Sequence, residues 1–248
     1  MSVQPALEWQ SAQVIGIKVE TSRTKSLTLA LPKWMPHRPG QHYDVRLTAP
    51  DGYRAERSYS AASEPERIGE LELTVERIDD GEVSPYLDDV VVPGDRLEVR
   101  GPIGGYFVWD VSLGGPLLLV CGGSGVVPLM AMLRHRAAQH APIPARLLYS
   151  CRSEDEVIYR TELDRLIESD GLLEVVLTFT RVAPPGWTGY RRRIDQAMLD
   201  EVAGPLGNDV RSYVCGPTLL VEAVSDALVG MGLPPERIRT ERFGPTGS

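Results

Sequence analysis

The sequence predicts two domains: an N-terminal six-stranded antiparallel β-barrel, then a parallel α/β sheet with helices on both faces. Three observations carry this reading. Short runs of alternating polarity fill residues 9 to about 110, and period-two alternation between turn signals marks half-buried antiparallel strands. From residue 116 onward, unalternating apolar runs take turns with helical ones, the pattern of a parallel sheet covered on both sides. Between them lies "DVSLGGP", residues 110–116. We place the domains at 1–112 and 113–248.

The elements follow in order. The barrel strands are "AQVIGIKVE", "SLTLALP", "HYDVRLTAP", "RSYSAAS", "ELELTVERI" and "DRLEVRGP". Pro39-Gly40, Asp51-Gly52, Asp80-Gly81 and Pro93-Gly94 punctuate them, each a dipeptide suited to a turn. "SPYLDDV" reads as a short helix or turn. In the second half "PLLLVC" is a buried strand and "VVPLMAMLRHRAAQH" a helix. "ARLLYSC" is a strand, "EDEVIYRTELDRLIES" one helix over residues 154–169, and "LLEVVLTFT" a strand. "DQAMLDEVA" is a helix, "RSYVCG" a strand, "TLLVEAVSDALVGMG" a helix and "ERIRTERF" a last strand.

Composition bounds the function. A chain of 248 residues with 42% hydrophobic content can bury a real core. Its net charge of −8 argues against nucleic acid as a partner, because phosphate binding needs a basic surface. Cys121, Cys151 and Cys215 lie far apart, so a protein-held iron–sulfur cluster or structural zinc is not expected. The four histidines, at 37, 42, 135 and 140, form no metal-like group. The start "MSVQPALEWQ" lacks the basic and apolar regions of a signal peptide. No apolar run has the length of a membrane span, so the expected location is cytoplasmic.

Two stretches carry chemistry. In "LLLVCGGSGVVPLMAML" a buried strand stops at Gly122, Gly123, Ser124 and Gly125, and a helix follows. Such a loop lets backbone N–H groups at a helix start approach a phosphate; an ordinary tight strand-to-helix turn reads the same way. In "RAERSYSAAS" alternation puts Arg57 and Tyr59 on one face and Ser60 on the other. Arginine can fork a phosphate, tyrosine can lie beside a flat ring, and serine can offer a hydroxyl to a ring nitrogen. Taken alone, that run is equally a cross-strand pair on a barrel surface.

The two stretches belong to an ordered series: "RSYS" 57–60, "GEVS" 81–84, "GPIGGYF" 101–107, "GGSGVVP" 122–128, "CGP" 215–217 and "ERFG" 241–244. The series resembles the ferredoxin–NADP reductase superfamily over about residues 10 to 244. It is most similar to the reductase modules that feed bacterial oxygenases or ferredoxins. The resemblance implies a barrel holding FAD and a Rossmann-like domain binding NAD(P).

Residue by residue, it implies that Arg57, with Ser58 beside it, meets the flavin diphosphate. Tyr59 flanks the isoalloxazine and Ser60 reaches its reactive edge. Gly81, Glu82, Val83 and Ser84 form the loop that receives the diphosphate, with Ser84 suited to capping the short helix. Tyr106 and Phe107 pack near the adenine or in the core. Gly122, Gly123, Ser124 and Gly125 receive the nicotinamide dinucleotide. Cys215, followed by Gly216 and Pro217, lies near the nicotinamide, though a buried cysteine is often only a small hydrophobe. Phe243 lies near the flavin, with Glu241 close by. Thr180, Arg181, Arg191, Arg193 and Arg152 surround the adenosine 2′-phosphate of NADPH, with Arg181 and Arg191 or Arg193 gripping it; NADH remains possible.

The implied enzyme is an FAD-dependent NAD(P)H reductase whose electrons leave for an external protein, such as a ferredoxin, a flavodoxin-like protein or an oxygenase component. Hydride transfer to flavin needs no acid, base or metal on the chain. Two other readings stand beside it: a reductase of free flavins or quinones, and a non-catalytic nucleotide-sensing subunit.

Overall fold

The computed structural model describes residues 7–207 and 209–243. Six strands form one antiparallel sheet: β1 (Gln10–Thr21), β2 (Thr24–Ala30), β3 (His42–Thr48), β4 (Arg54–Ser60), β5 (Glu70–Glu76) and β6 (Arg96–Ile103). Their order is β4-β3-β6-β1-β2-β5. An antiparallel bridge between Ala61 and Leu73 joins the end of β4 to β5. The Ala62 N–H reinforces it by donating to the Glu72 carbonyl at 2.8 Å. The sheet thereby closes on itself as a barrel, which leaves no long strand edge open. Alternate residues fill the interior, among them Val14, Tyr43, Val45, Leu73, Val75 and Val99. The helix α1 (Ser84–Asp89) packs on this core through Leu87, with Val83 just before it.

Five strands build the second sheet: β7 (Leu117–Gly122), β8 (Ala145–Cys151), β9 (Leu173–Phe179), β10 (Arg211–Pro217) and β11 (Ile238–Phe243). All neighbours are parallel, in the order β11-β10-β7-β8-β9. Every residue of β7 is buried, which is why its sequence does not alternate. Leu117, Leu119 and Cys121 face α2 (Val126–Ala138) and α3 (Arg160–Ser169); Leu118 and Val120 face α4 (Gln196–Ala203) and α5 (Thr218–Gly230). After β9 the chain returns past β7 to begin β10. The reversal opens a crevice at the carboxyl ends of β7 and β10, where ligands bind in sheets of this kind.

One expected helix is broken. Residues Glu154–Glu156 form a single 3-10 turn, and Tyr159 takes a φ of 61° before α3 begins. Val157, Ile158 and Tyr159 are buried, and the Ile158 N–H donates to the Tyr149 hydroxyl at 3.2 Å. The Tyr159 hydroxyl reaches across to Thr74 of β5 at 2.5 Å. The contacts of Ile158 with Tyr149 and of Tyr159 with Thr74 hold this stretch out of helical geometry, so tertiary contact overrides local propensity.

That tyrosine belongs to a tight seam between the domains. Ala62, Phe107 and Trp109 share one apolar cluster with α2. Arg134 of α2 donates to the Ala62 carbonyl at 2.8 Å and to Glu72 of β5 at 2.7 Å. Its other nitrogens hold both oxygens of Glu162 of α3, each at 2.7 Å.

Candidate flavin and nicotinamide sites

A cleft of about 430 Å³ opens at the carboxyl ends of β7 and β10. Gly122, Gly123, Ser124, Pro217, Leu220, Arg152, Thr180 and Arg193 line it. Phe243 reaches it from β11, and Glu76 from the barrel strand β5. The cleft therefore straddles the seam, with both domains contributing.

The glycines explain its shape. Gly123 has a φ of 56°, and no atom lies within 4 Å of where its Cβ would stand. Its backbone is open to a ligand and adopts a conformation that costs other residues more. At Gly125 a Cβ would stand 2.2 Å from the Cys215 carbonyl oxygen, so only glycine lets the loop lie against β10. Residues Gly123–Gly125 make one 3-10 turn leading directly into α2. A glycine turn at the start of a helix of 13 residues is the geometry that suits a phosphate. Together with two arginines in the same cleft, these residues fit a dinucleotide.

Cys215 is buried on β10 in register with Glu241 of β11. Burial, then the nearby Glu241 carboxylate, pushes its thiol well above the ordinary range, so it is a neutral, compact group. Glu241 has one buried oxygen without a hydrogen-bond partner among the described residues, and burial raises its pKa to about 7. A buried, unpartnered carboxyl beside a cofactor cleft is a marker of functional chemistry. Gly244, the last residue of the "ERFG" run, lies outside the described residues.

On the barrel, Arg57 and Tyr59 follow Ala55 along one face of β4, Ala55 entering the core and Tyr59 packing half-buried against it. Ser58 and Ser60 occupy the opposite face, where the Ser58 hydroxyl donates to Asp44 at 2.7 Å. Arg57 is exposed and pairs with Glu82 at 3.0 Å. Ser84 does not cap α1. Val83 is the N-cap and makes no side-chain cap bond. The Ser84 oxygen accepts instead from the Ile78 N–H at 3.0 Å. It ties residues 78 and 84 together, fixing the loop that contains Gly81. The flat ring of Tyr59, an arginine fork on the same face and a loop tied by Ser84 are the groups that fit a flavin dinucleotide.

Other expected residues fall differently. Phe107 is buried edge-on against Tyr213, with centroids 5.5 Å apart, so its role is core packing. Tyr106 is exposed beneath the Arg239 guanidinium, 4.7 Å from its ring centroid. Arg181 and Arg191 are exposed and do not line the cleft; Arg191 instead donates to the Trp187 carbonyl. The sequence reading missed Glu76, Glu156 and Leu220, which do line it. Glu76 ends a barrel strand, and the packing of that strand against the Gly123–Gly125 turn brings it here, so no local pattern signals it.

The description "oxidoreductase FAD-binding domain" matches residues 11–108, and "oxidoreductase NAD-binding domain" matches residues 119–226. The glycine betaine monooxygenase reductase subunit of Chromohalobacter salexigens is 32% identical over 211 residues, 84% of this chain and 56% of that protein. The chain thus spans little more than half the length of that relative. Ferredoxin–NADP reductase B of Sorangium cellulosum is 32% identical over 209 residues, 82% of this chain and 84% of that one. An Amycolatopsis cytochrome P450 reductase superposes with a TM-score of 0.84 at 26% identity, over 99% of this chain and 73% of that one. Among the described residues no helix is long and apolar enough to cross a membrane. With both cofactor domains present in this order, and a relative matched along most of both lengths, the chain belongs to the ferredoxin–NADP reductase superfamily of FAD- and NAD(P)-binding oxidoreductases.

Proposed function

We propose that the protein is an FAD-dependent NAD(P)H reductase that passes electrons to a separate acceptor protein, such as a ferredoxin or an oxygenase component. The observation that carries this is the cleft at the domain seam, where the glycine loop, Pro217, Phe243 and the barrel's Glu76 meet. When bound, FAD would supply the redox chemistry that links a two-electron hydride donor to a one-electron acceptor. The chain's own residues bind and orient. Arg57 holds the flavin diphosphate, Tyr59 supports the ring, and Ser60 offers a hydroxyl at its edge. Gly122 to Gly125 hold the coenzyme's diphosphate by backbone N–H groups. Cys215, small, neutral and buried, lies behind the cleft wall, two residues before Pro217, and packs the nicotinamide end without adding charge; Phe243 shields that end from water.

The coenzyme is NADPH, with Arg152 and Arg193 as the residues that grip its 2′-phosphate. Both line the cleft beside Thr180, and arginine's fork matches phosphate oxygens. This moves the assignment away from Arg181 and Arg191, which lie outside the lining. Glu156 in the same lining favours the rival, NADH, because a carboxylate accepts from ribose hydroxyls and repels phosphate. The steady-state kcat/KM for each coenzyme decides: Arg152→Ala and Arg193→Ala should harm NADPH far more than NADH, and a wild-type preference for NADH refutes the assignment.

The experiment on the function itself is the visible spectrum of the purified chain, followed anaerobically during addition of NADPH or NADH. A yellow protein that bleaches supports the reading. A colourless protein that turns over only with added flavin supports a free-flavin reductase. Flavin that is bound but never reduced supports a nucleotide sensor.

A further inference from the structure

We infer that Glu82 is a built-in occupant of the flavin diphosphate site, an internal carboxylate that an incoming flavin phosphate must displace from Arg57. The inference rests on the proposed role of Arg57. Arg57 Nη2 donates to Glu82 Oε2 at 3.0 Å, and Nη1 donates to the Glu56 carbonyl at 2.7 Å. The other carboxylate oxygen of Glu82 accepts from the Tyr53 hydroxyl at 2.7 Å. Both arms of the guanidinium and both oxygens of the carboxylate are thus engaged. The Tyr53 hydrogen bond, and after it Arg57, holds the Glu82 carboxyl below its usual range against the opposing effect of burial, so Glu82 is ionised at neutral pH.

A carboxylate presents two oxygens much as one edge of a phosphate does, and arginine pairs with either. The two anions cannot share Arg57 without like charges meeting. Glu82 is not needed for the shape of its loop, because Ser84 and the Ile78 N–H fix that. A neutral residue at 82 would leave the loop standing and release Nη2 of Arg57, with Nη1 still held by the Glu56 carbonyl. The strength of this latch follows from its exposure: the side chains of Arg57 and Glu82 are 52% and 49% exposed, and exposed ion pairs are weak. Glu82 therefore lowers affinity for phosphate-bearing flavins without closing the site to them, and it leaves a flavin lacking phosphate unaffected.

The test titrates the full-length chain, freed of flavin, with FAD and with riboflavin, followed by flavin fluorescence. Glu82→Gln should tighten FAD by about two- to tenfold and leave riboflavin unchanged. Tyr53→Phe, which loosens the latch from its other side, should tighten FAD by less. Arg57→Ala tests the underlying reading and should weaken FAD. If Arg57→Ala leaves FAD binding unchanged, the role of Arg57 fails and the inference with it. If Arg57→Ala weakens FAD while Glu82→Gln fails to tighten it, the role of Arg57 stands and the latch is wrong. A Glu82→Gln variant that binds FAD more weakly makes Glu82 a ligand of the flavin, which also overturns the inference.

Discussion

Replacing Arg134 by methionine keeps the apolar stem and removes the charge that links the two domains. The cost follows from the partners left behind. Arg134 is 11% exposed, Glu72 11% and Glu162 22%, so both carboxylates would be stranded in a poorly solvated seam. Removing one member of a buried charge network costs about 3–5 kcal/mol. Glu72 retains Arg67 at 3.3 Å, which puts the expected loss near the lower end, about 3 kcal/mol. For a protein of this size that lowers Tm by about 6–12 °C. The contact of the guanidinium with the Tyr159 ring, 5.1 Å from its centroid, is lost as well. The assay is urea denaturation at neutral pH, with a thermal scan alongside. A second readout is acid sensitivity. Burial raises the Glu162 carboxyl, but the hydrogen bond and charge of Arg134 outweigh it and hold the pKa below the ordinary value. Its stabilisation is present above the ordinary carboxyl value of 4.5 and is lost as pH falls through the lowered folded value. The variant should therefore lose less stability than wild type on acidification. A loss below about 1 kcal/mol at neutral pH, the magnitude of an exposed pair, would refute the claim that this network is buried and structural.

Three further outcomes are expected. Cys215→Ser should slow flavin reduction by NADPH in stopped flow while flavin stays bound; unchanged kinetics would remove Cys215 from the hydride path. Gly125→Ala drives a Cβ to 2.2 Å from the Cys215 carbonyl, so the loop must move; about 1–3 kcal/mol of stability should be lost, with a raised KM for the coenzyme, and a variant matching wild type in both would contradict the packing. Glu241 has a folded pKa of about 7 against an ordinary 4.5, so the folded chain holds a proton that the unfolded one releases. Stability should fall by roughly 2–4 kcal/mol as pH rises between those values. Glu241→Gln should flatten that stretch of the urea-derived stability curve, and an unchanged slope would sink the assignment.

The barrel was legible because each strand has its own alternating run between turn dipeptides, and the second sheet because β7 is an unbroken apolar run and the strands after it take turns with helical stretches. The glycine loop was legible for the same local reason. Long-range packing hid the rest. The break at Tyr159 exists because its hydroxyl reaches β5, 85 positions away in sequence. Ser84 has the side chain of a helix cap, yet the Ile78 N–H takes its oxygen. Arg181 and Arg193 look alike in sequence; the path of the chain after β9 decides that only Arg193 lines the cleft.

Cys121, Cys151 and Cys215 stand at the carboxyl ends of three neighbouring strands, each buried. Burial is the leading cause that pushes the Cys151 thiol to about 12 and the other two well above their ordinary range. The thiolate is the form that reacts with peroxides and alkylating agents. Three thiols kept protonated at the mouth of one sheet are therefore poor nucleophiles, a chemical quietness that follows from how the strands pack.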